Sequence, residues 1–349
     1  MDRKRITEID ALRGIAAVIV VIYHYTFHYN ERFGHVKPDY NTTLFDFGHY
    51  GVQLFFIISG FVIFMSVSRG KSAGDFMIKR TFRLYPAYIV AVALTFLVLG
   101  KSEIDINRTF IEAIINFTMF QEFFGVRNID GVYWSLRVEM TFYLMMAVVL
   151  YIGAKSHVVL VSITMLISGL LVQVMNGWVG GEFWRTIERF STANYVQLFV
   201  IGIMFYCIWQ HGPKIKYMTL LIVSIIYDFL FEGISNGMFT ILFVAIFGLV
   251  LAEKMKWLNN KILLFLGSIS YPLYLVHQNI GYAMIKEMEK FGMTHELWIL
   301  IPLGLSIALS VLIVKYIEVP VQNFLYKKYK AYRSTNSRTV VTAQLGQTK

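Results

Sequence analysis

Long apolar runs are the feature that most constrains how this chain can fold. Residues 11–29, 158–175 and 238–251 are three of these runs. A helix needs about 20 predominantly apolar residues to cross the hydrocarbon core of a bilayer. Of the 349 residues, 56% are hydrophobic and 15% are charged, which excludes a disordered chain and an ordinary soluble enzyme. The sequence therefore predicts an all-α fold, a polytopic integral membrane helix bundle.

Ten segments are candidate membrane spans. They lie at about residues 11–29, 49–68, 84–100, 133–153, 157–175, 193–210, 217–231, 237–252, 264–285 and 297–317. The stretch 110–124 is also apolar, but Glu112, Asn116 and Glu122 interrupt it, so we interpret it as a surface or re-entrant helix. We expect residues 1–330 to form the transmembrane domain and the polar segment 331–349 to be a disordered cytoplasmic tail.

The basic residues are distributed unevenly between the loops. If the N-terminus is cytoplasmic, 20 of the 32 lysines and arginines fall in cytoplasmic segments and 9 in outside loops. The positive-inside rule then predicts that both termini are cytoplasmic, in a chain of the cell's inner (cytoplasmic) membrane. Orientation accounts for the net charge of +10, so no nucleic-acid partner is required. The single cysteine, Cys207, excludes a Cys-based zinc site, and we expect no metal.

Ionisable side chains inside the predicted spans are functional candidates, because a charge in lipid is costly. Arg13 and His24 lie eleven residues apart on the first span, which is three helical turns plus about 20°. The two side chains therefore share a face and are separated by a rise of about 16 Å. Arg13 lies near the cytoplasmic end, and His24 lies in the outer half.

The fourth span carries a polar face of its own. Ser135, Glu139 and Tyr143 follow one another at i, i+4 and i+8, with Trp134 at the mouth of the helix. Arg137 faces elsewhere. Glu139 lies in the half of the membrane that also holds His24.

Two more spans add polar residues at similar depth. On the ninth, Ser270, Tyr274 and His277 share a face, and Pro272 predicts a kink. On the second, Gln53 lies near the outer end. The heights of His24, Gln53, Glu139 and His277 permit a single polar site that opens to the outer side.

Each of these residues also has a structural explanation when it is taken singly. A histidine in a membrane often bonds one helix to another, and Arg13 can be an interfacial anchor. Trp134 and Tyr143 can belong to an aromatic belt. Arg13, His24 and Glu139 together favour a functional site.

Six motifs resemble those of one known family. In chain order they are DALRGIAA at 10–17 followed by His24, GVQLFFIISGF at 51–61, RTFRLYPAY at 80–88, WSLRVEMTFY at 134–143, GSISYPLYLVH at 267–277 and EVP at 318–320. Together they resemble the membrane-bound acyltransferase 3 family. Arg137 stands where a small or polar residue is expected, and Met140 replaces a second acid beside Glu139. Both departures bear on the acceptor pocket.

The resemblance implies a reaction and its partners. The family transfers an acyl group, usually acetyl, from cytoplasmic acyl-CoA to a hydroxyl of an extracytoplasmic or lipid-linked carbohydrate. Such O-acetylation belongs to lipopolysaccharide, exopolysaccharide and related polysaccharide biosynthesis. The expected partners are acyl-CoA, a glycan acceptor and membrane lipids. The acceptor, the acyl group and the oligomeric state stay open.

The candidate residues can be given roles in this chemistry. Arg80 and Arg83, one turn apart in a basic loop, would hold CoA phosphates together with Lys79, and Arg13 would meet the donor deeper in the membrane. His24 would be the general base.

Glu139 is expected to orient the His24 imidazole and to stabilise its protonated form. The remaining residues are expected to bind the acceptor or the developing oxyanion: Gln53, Trp134, Ser135, Tyr143, Tyr274 and His277. The main alternative is a secondary transporter or exporter with His24 and Glu139 as a proton relay, but the sequence lacks the internal repeat that many transporters have. Nothing in the sequence argues for a third class, a sensor or scaffold.

Overall fold

The computed structural model describes residues 6–35, 42–104 and 106–346. Five basic residues used in the count of loop charges lie outside the described residues: Arg3, Lys4, Arg5, Lys37 and Lys349. The described chain contains helices and no β-strand, which confirms the predicted all-α fold.

The described residues form fifteen α-helices. They are α1 (Thr7–Tyr23), α2 (Tyr29–Phe33), α3 (Gly51–Arg69), α4 (Ala73–Leu99), α5 (Phe110–Asn116), α6 (Trp134–Tyr151), α7 (Val158–Trp178), α8 (Gly181–Phe190), α9 (Val196–His211), α10 (Ile215–Phe231), α11 (Ile234–Leu251), α12 (Lys261–Val276), α13 (Gln278–Lys290), α14 (Leu300–Ile313) and α15 (Val319–Gly346). Two π-helical segments, His24–His28 and Val314–Glu318, join α1 to α2 and α14 to α15.

Seven continuous helical segments of the described chain are long and apolar enough to cross a membrane. They are Thr7–Phe33, Phe45–Arg69, Ala73–Leu99, Gly131–Tyr151, Ala154–Trp178, Ile234–Leu251 and Leu297–Ser334. Two shorter apolar helices, Val196–His211 and Lys261–Val276, match two other predicted spans. The remaining prediction, 217–231, corresponds to α10 with 17 residues. The polytopic bundle is therefore confirmed, and the cytoplasmic position of the termini stays a prediction.

The third span starts earlier than the apolar pattern indicates. Ser72 caps α4 by accepting a hydrogen bond from the backbone N–H of Asp75 at 3.4 Å. A serine N-cap with an acid in the first turn is a helix start signal. Arg80 and Arg83 therefore lie within a helix, and the prediction of a basic loop before this span is wrong.

The stretch 110–124 is not a span. Thr109 and Glu112 form a capping box at the start of α5, which ends after seven residues. Arg127 pairs with Glu112 at 2.9 Å and ties the following loop back to this helix. The interpretation as a non-spanning helix is confirmed.

The predicted ninth span is divided at His277. The imidazole Nδ1 of His277 lies 3.1 Å from the carbonyl of Leu273 and 2.9 Å from that of Tyr274. The side chain therefore supplies a donor for carbonyls at the end of α12, five residues after Pro272. The chain continues as α13 from Gln278.

Close contacts between glycines bring two helix pairs together. A Cβ on Gly14 of α1 would lie 2.5 Å from the backbone nitrogen of Gly267 on α12. A Cβ on Gly60 of α3 would lie 2.2 Å from the carbonyl oxygen of Phe199 on α9, and one on Gly202 of α9 would lie 2.1 Å from a carbonyl of α3. Small residues at such crossings let membrane helices approach closely. The α1–α12 pair places the face of Arg13 and His24 against α12.

The last helix continues into the segment that the sequence predicts to be disordered. α15 runs to Gly346, and Arg333 on this helix pairs with Asp75 of α4 at 3.1 Å. The boundary of the transmembrane domain at residue 330 stays a prediction.

Candidate functional site

A cavity of about 750 Å³ lies between α1, α3, α4, α6 and α12. We call it the arginine cavity, after Arg13, Arg80 and Arg83 in its wall. Its other polar lining residues are Ser59, Ser135, Glu139, Tyr143, Ser270, Tyr271 and Tyr274. Three guanidinium groups thus face a space that has one carboxylate among its described lining residues.

The single carboxylate is held by hydroxyl groups. Glu139 Oε1 accepts hydrogen bonds from Ser59 at 2.9 Å and from Tyr143 at 2.5 Å. Among the described residues no carboxylate lies within ion-pair distance of the three arginines, and the buried Nε of Arg80 has no acceptor. Guanidinium groups without counter-ions suit a phosphate or carboxylate ligand.

Lys79 lies apart from these arginines. It is exposed on α4 and pairs with Asp75 at 2.8 Å. It lines a groove beside the arginine cavity together with Arg69, Lys71 and Arg333, and Arg80 borders both spaces. Lys79 therefore does not line the arginine cavity, and its predicted role in holding CoA phosphates stays a prediction. We call the neighbouring groove, with its basic residues, the vestibule.

The side chains of His24 and His277 are in contact at the point where the π-helical segment follows α1. His24 Nδ1 lies 2.8 Å from the carbonyl of Val20 and 3.2 Å from Nε2 of His277. A carbonyl can only accept, so His24 Nδ1 carries the proton, and so does His277 Nδ1, which faces the carbonyls of Leu273 and Tyr274. Nε2 of His277 is then an acceptor. Nε2 of His24 keeps a lone pair and has no hydrogen-bond partner within the described chain.

His24 lines a second cavity of about 1000 Å³. We call it the histidine cavity. Its other polar or aromatic lining residues are Tyr23, His28, Arg32, His49, Gln53, Trp134, Tyr195, Glu232, Asn236, Tyr274 and Gln278. Val52 and Tyr274 line both this cavity and the arginine cavity, so the two spaces share a wall across the bundle. π-helical turns such as His24–His28 occur often at functional sites.

Glu139 does not orient His24, contrary to the sequence prediction. Its described hydrogen bonds go to Ser59 and Tyr143 in the arginine cavity, and the ring beside His24 is that of His277, 4.9 Å away between centroids. Similar depth along two helices does not make their faces meet. Here α1 packs on α12, and α6 carries Glu139 to the other cavity.

The other predicted ligand-binding residues divide between the two cavities. Ser135 and Tyr274 share a 2.7 Å hydrogen bond, and Ser135 lines the arginine cavity with Tyr143. Gln53 and Trp134 line the histidine cavity. The predicted single site is thus two adjoining spaces, and Tyr274 belongs to both.

The two departures from the family pattern lie outside both cavities. Arg137 faces away, as predicted, and pairs with Glu122 at 2.7 Å while it donates to the carbonyl of Arg189. Met140 is buried in the core. Arg137 therefore ties α6 to the loop before it and to α8, and neither Arg137 nor Met140 lines either cavity.

The histidine cavity also contains polar residues that were not predicted from the sequence, among them Gln278, Asn236 and Glu232. Gln278 is 3% exposed, and its Oε1 has no donor among the described residues; the same holds for Oε1 of Gln53 at 9% exposure. Gln53 donates to Asn236, whose side chain donates to the carbonyl of Glu232 at 2.7 Å. Glu232 and Asn236 lie between two predicted spans and Gln278 lies within the predicted ninth span, so the sequence marks them only by their polarity.

Glu232 is a carboxylate in the wall of the histidine cavity. Gln173 donates to it at 2.9 Å, and no cation within the described residues pairs with it. Burial raises its pKa to about 7, and the nearby carboxylates Asp228 and Glu188 act in the same direction. Within the described residues no group of three or more His, Cys, Asp or Glu side chains can hold a metal ion.

Comparisons with known proteins bear on this site. A family model described as an acyltransferase domain matches residues 6–317. Nodulation protein 10 of Rhizobium leguminosarum bv. viciae is 27% identical over 330 residues, which cover 81% of this chain and 85% of that protein. O-acetyltransferase OatA of Staphylococcus aureus strain MRSA252 is 25% identical over 395 residues, which cover 97% of this chain and 61% of that protein. No solved structure gives a significant match.

Proposed function

The chain belongs to the acyltransferase 3 family, and on that premise we propose that it is an integral membrane O-acyltransferase. It moves an acyl group, in the simplest case acetyl, from cytoplasmic acyl-CoA to a hydroxyl of an extracytoplasmic or lipid-linked carbohydrate. One observation carries the proposal. A cavity with three arginines and a cavity with an unpaired imidazole nitrogen share the wall formed by Val52 and Tyr274.

The donor enters through the vestibule in this proposal. Its basic side chains and those of Arg80 and Arg83 bind the phosphates of CoA, since guanidinium groups bind phosphate oxygens bidentately. Arg13 meets the donor deeper in the bundle. The rise of about 16 Å from Arg13 to His24 suits an extended pantetheine arm that carries the thioester to the shared wall. This end of the bundle is then the cytoplasmic end.

His24 acts as the general base. Its Nε2 takes the proton of the acceptor hydroxyl while the hydroxyl oxygen attacks the thioester carbonyl. A C–O bond forms, the C–S bond breaks, and the proton passes to the departing CoA thiolate. The proton on Nδ1 of His24 stays in place and is donated to the carbonyl of Val20 and to Nε2 of His277. These hydrogen bonds hold the His24 ring in one tautomer. His277 is therefore a positioning residue in this mechanism.

Hydroxyl groups at the shared wall are placed to stabilise the developing oxyanion. Tyr274 of the shared wall and Ser135 of the arginine cavity are hydrogen-bonded to each other, and both hydroxyls also reach the carbonyl of Val132. One of these hydroxyls must turn away from its present acceptor to donate to the oxyanion, and such a donor stabilises a tetrahedral intermediate.

The histidine cavity suits an acceptor rich in hydroxyl groups. Buried amide oxygens without donors are costly, and Gln53 and Gln278 each have one. Glu232 adds a carboxylate without a cation among its described neighbours. Trp134 and Tyr195, with ring centroids 5.4 Å apart, provide apolar faces for a sugar ring. Sugar hydroxyls would supply the missing donors.

Substitution of the base tests the function. We expect His24→Ala to lower acetyl-CoA-dependent transfer at least ~10²-fold, because a positioned base contributes that much or more. His295→Ala, on an exposed histidine outside both cavities, is the matched control. The readouts are acyl transfer by the purified full chain and mass spectrometry of surface glycans from cells with and without the gene. Undiminished acylation by a stably expressed His24→Ala protein, or solute flux in proteoliposomes without acyl-CoA consumption, would contradict the proposal.

A further inference from the structure

A fourth space opens at the end of the bundle where α3 and α9 end and where α7 and α10 begin. This open groove has a volume of about 1500 Å³, borders the vestibule at Arg69, and shares no lining residue with the arginine or the histidine cavity. We call it the basic groove. Its cationic or titratable lining residues are Arg69, Lys155, His157, His211 and Lys216. No aspartate or glutamate lines it within the described chain.

The two lysines keep donor capacity for a ligand. The ammonium of Lys155 lies 2.6 Å from the carbonyl of Gly70 and 3.4 Å from that of Ser68, which uses two of its three protons. Lys216 is exposed and lies over the ring of Tyr217 at 5.3 Å. Neither lysine has a carboxylate partner among the described residues. The groove thus offers the ammonium groups of Lys155 and Lys216 to an anionic ligand.

One wall of the groove continues onto the lipid-facing surface. Leu160 and Ile163 of α7 line it and are 62% and 38% exposed. Only 22% of the apolar window of the helix that contains α7 is buried inside the protein, so most of its surface faces outward. A ligand in the groove therefore meets cations at one end and exposed aliphatic side chains along the membrane direction.

We propose that the basic groove binds the headgroup of an anionic phospholipid. The phosphate accepts hydrogen bonds from Lys155 and Lys216, and the acyl chains lie along Leu160 and Ile163. Basic pockets between membrane helices bind anionic headgroups in this way. The apolar wall favours a lipid over free phosphate or a nucleotide, because neither has a hydrophobic portion to cover that wall.

The test uses the full chain in detergent, with and without added phosphatidylglycerol. Phosphatidylglycerol is expected to raise the midpoint of thermal unfolding and to stay bound in native mass spectrometry, whereas phosphatidylcholine is not. Lys216→Gln is expected to weaken phosphatidylglycerol binding about fivefold, since a basic side chain near anionic lipid contributes on the order of 1 kcal/mol. Lys261→Gln, an exposed lysine at the start of α12 and outside the groove, is the matched control.

Lys155→Gln is the second variant, and Lys216→Gln keeps the test valid if loss of the Lys155 contacts to α3 prevents folding. Equal phosphatidylglycerol binding by Lys216→Gln and the control would overturn the proposal. Equal stabilisation by phosphatidylcholine would also overturn it, because the headgroup charge would then not matter. So would a loss of inorganic phosphate or CoA binding in Lys216→Gln as large as its loss of phosphatidylglycerol binding, because the groove would then bind a soluble anion. Acyl transfer need not occur for this test, so it is independent of the proposed function.

Discussion

At the scale of single residues, backbone carbonyls decide the chemistry of the two histidines. Carbonyl oxygens of Val20, Leu273 and Tyr274 hold both Nδ1 protons. The tautomers follow, and with them the free Nε2 of His24. A sequence pattern that shows only the spacing of His24 from Arg13 contains none of this information.

The arginines of α4 allow a direct test of donor binding. We expect Arg80→Lys to raise the KM for acyl-CoA roughly tenfold with little change in kcat, because a lysine cannot reproduce a bidentate guanidinium–phosphate contact. Lys261→Ala, on an exposed lysine outside the vestibule and the arginine cavity, should change KM by less than about twofold, as a single exposed charge contributes little. Steady-state kinetics of the purified enzyme measures both. Equal effects of the two substitutions would argue against phosphate binding in the arginine cavity.

The raised pKa of Glu232 predicts that the stability of the folded protein depends on pH. Its pKa lies at about 7 in the folded protein against an ordinary value of 4.5, so the folded state binds more protons than the unfolded state between these values. Stability contributed by this group is therefore present below about pH 4.5 and falls as pH rises to about 7. Glu232→Gln should make the midpoint of thermal unfolding less dependent on pH over this window. Glu182→Gln, on an exposed residue, should leave that dependence unchanged. A pH profile unchanged by Glu232→Gln would refute this assignment.

At the scale of helices, the crossing of α3 and α9 depends on the absence of side chains. Gly60→Ala places a methyl group 2.2 Å from the carbonyl oxygen of Phe199, so the helices must separate. We expect a loss of about 1–3 kcal/mol in the free energy of unfolding, the usual cost of overpacking. Gly248→Ala on α11, where a Cβ meets nothing within 4 Å, should be neutral or slightly stabilising. Thermal unfolding in detergent compares the two, and equal midpoints would show that the crossing tolerates a methyl group.

The starts and breaks of helices show where apolar patterns mislead. α4 begins eleven residues before the apolar run that signals it, because a serine cap and Asp75 start the helix in polar sequence. α12 stops at Val276 although the predicted span continues to residue 285, because the imidazole of His277 bonds to carbonyls of that helix. In both cases a local hydrogen bond outweighs hydrophobicity.

At the scale of the whole molecule, the arrangement requires a fixed orientation in the membrane. The proposed function needs the end with Arg13 to be cytoplasmic. We expect a cysteine introduced as Asn107→Cys to react with an impermeant maleimide from outside intact cells, and one introduced as Lys254→Cys to react only after permeabilisation. Both positions are exposed, and the native Cys207 is buried. The reverse labelling pattern would indicate the opposite topology, in which the donor site faces the outside and cannot receive cytoplasmic acyl-CoA.

Much of the architecture was predictable from apolar patterns, because a bilayer imposes helix length and satisfied backbone bonds on any chain that crosses it. The rejection of residues 110–124 as a span follows from the same rule. The shared faces of Arg13 with His24 and of Ser135 with Tyr143 follow from helical periodicity. The candidate site was predictable to that extent: individual faces, and the motifs that resemble one family.

The sequence by itself therefore determined an all-helical membrane protein, its family and most of its polar faces. Only the tertiary structure decided which faces meet. Close packing of α1 on α12 pairs His24 with His277 instead of Glu139, and the three-dimensional arrangement adds Glu232, Asn236 and Gln278 to the same cavity. The physical reason is that periodicity acts along one helix, whereas the neighbours of a side chain depend on how different helices cross, which here is decided by close contacts at glycine.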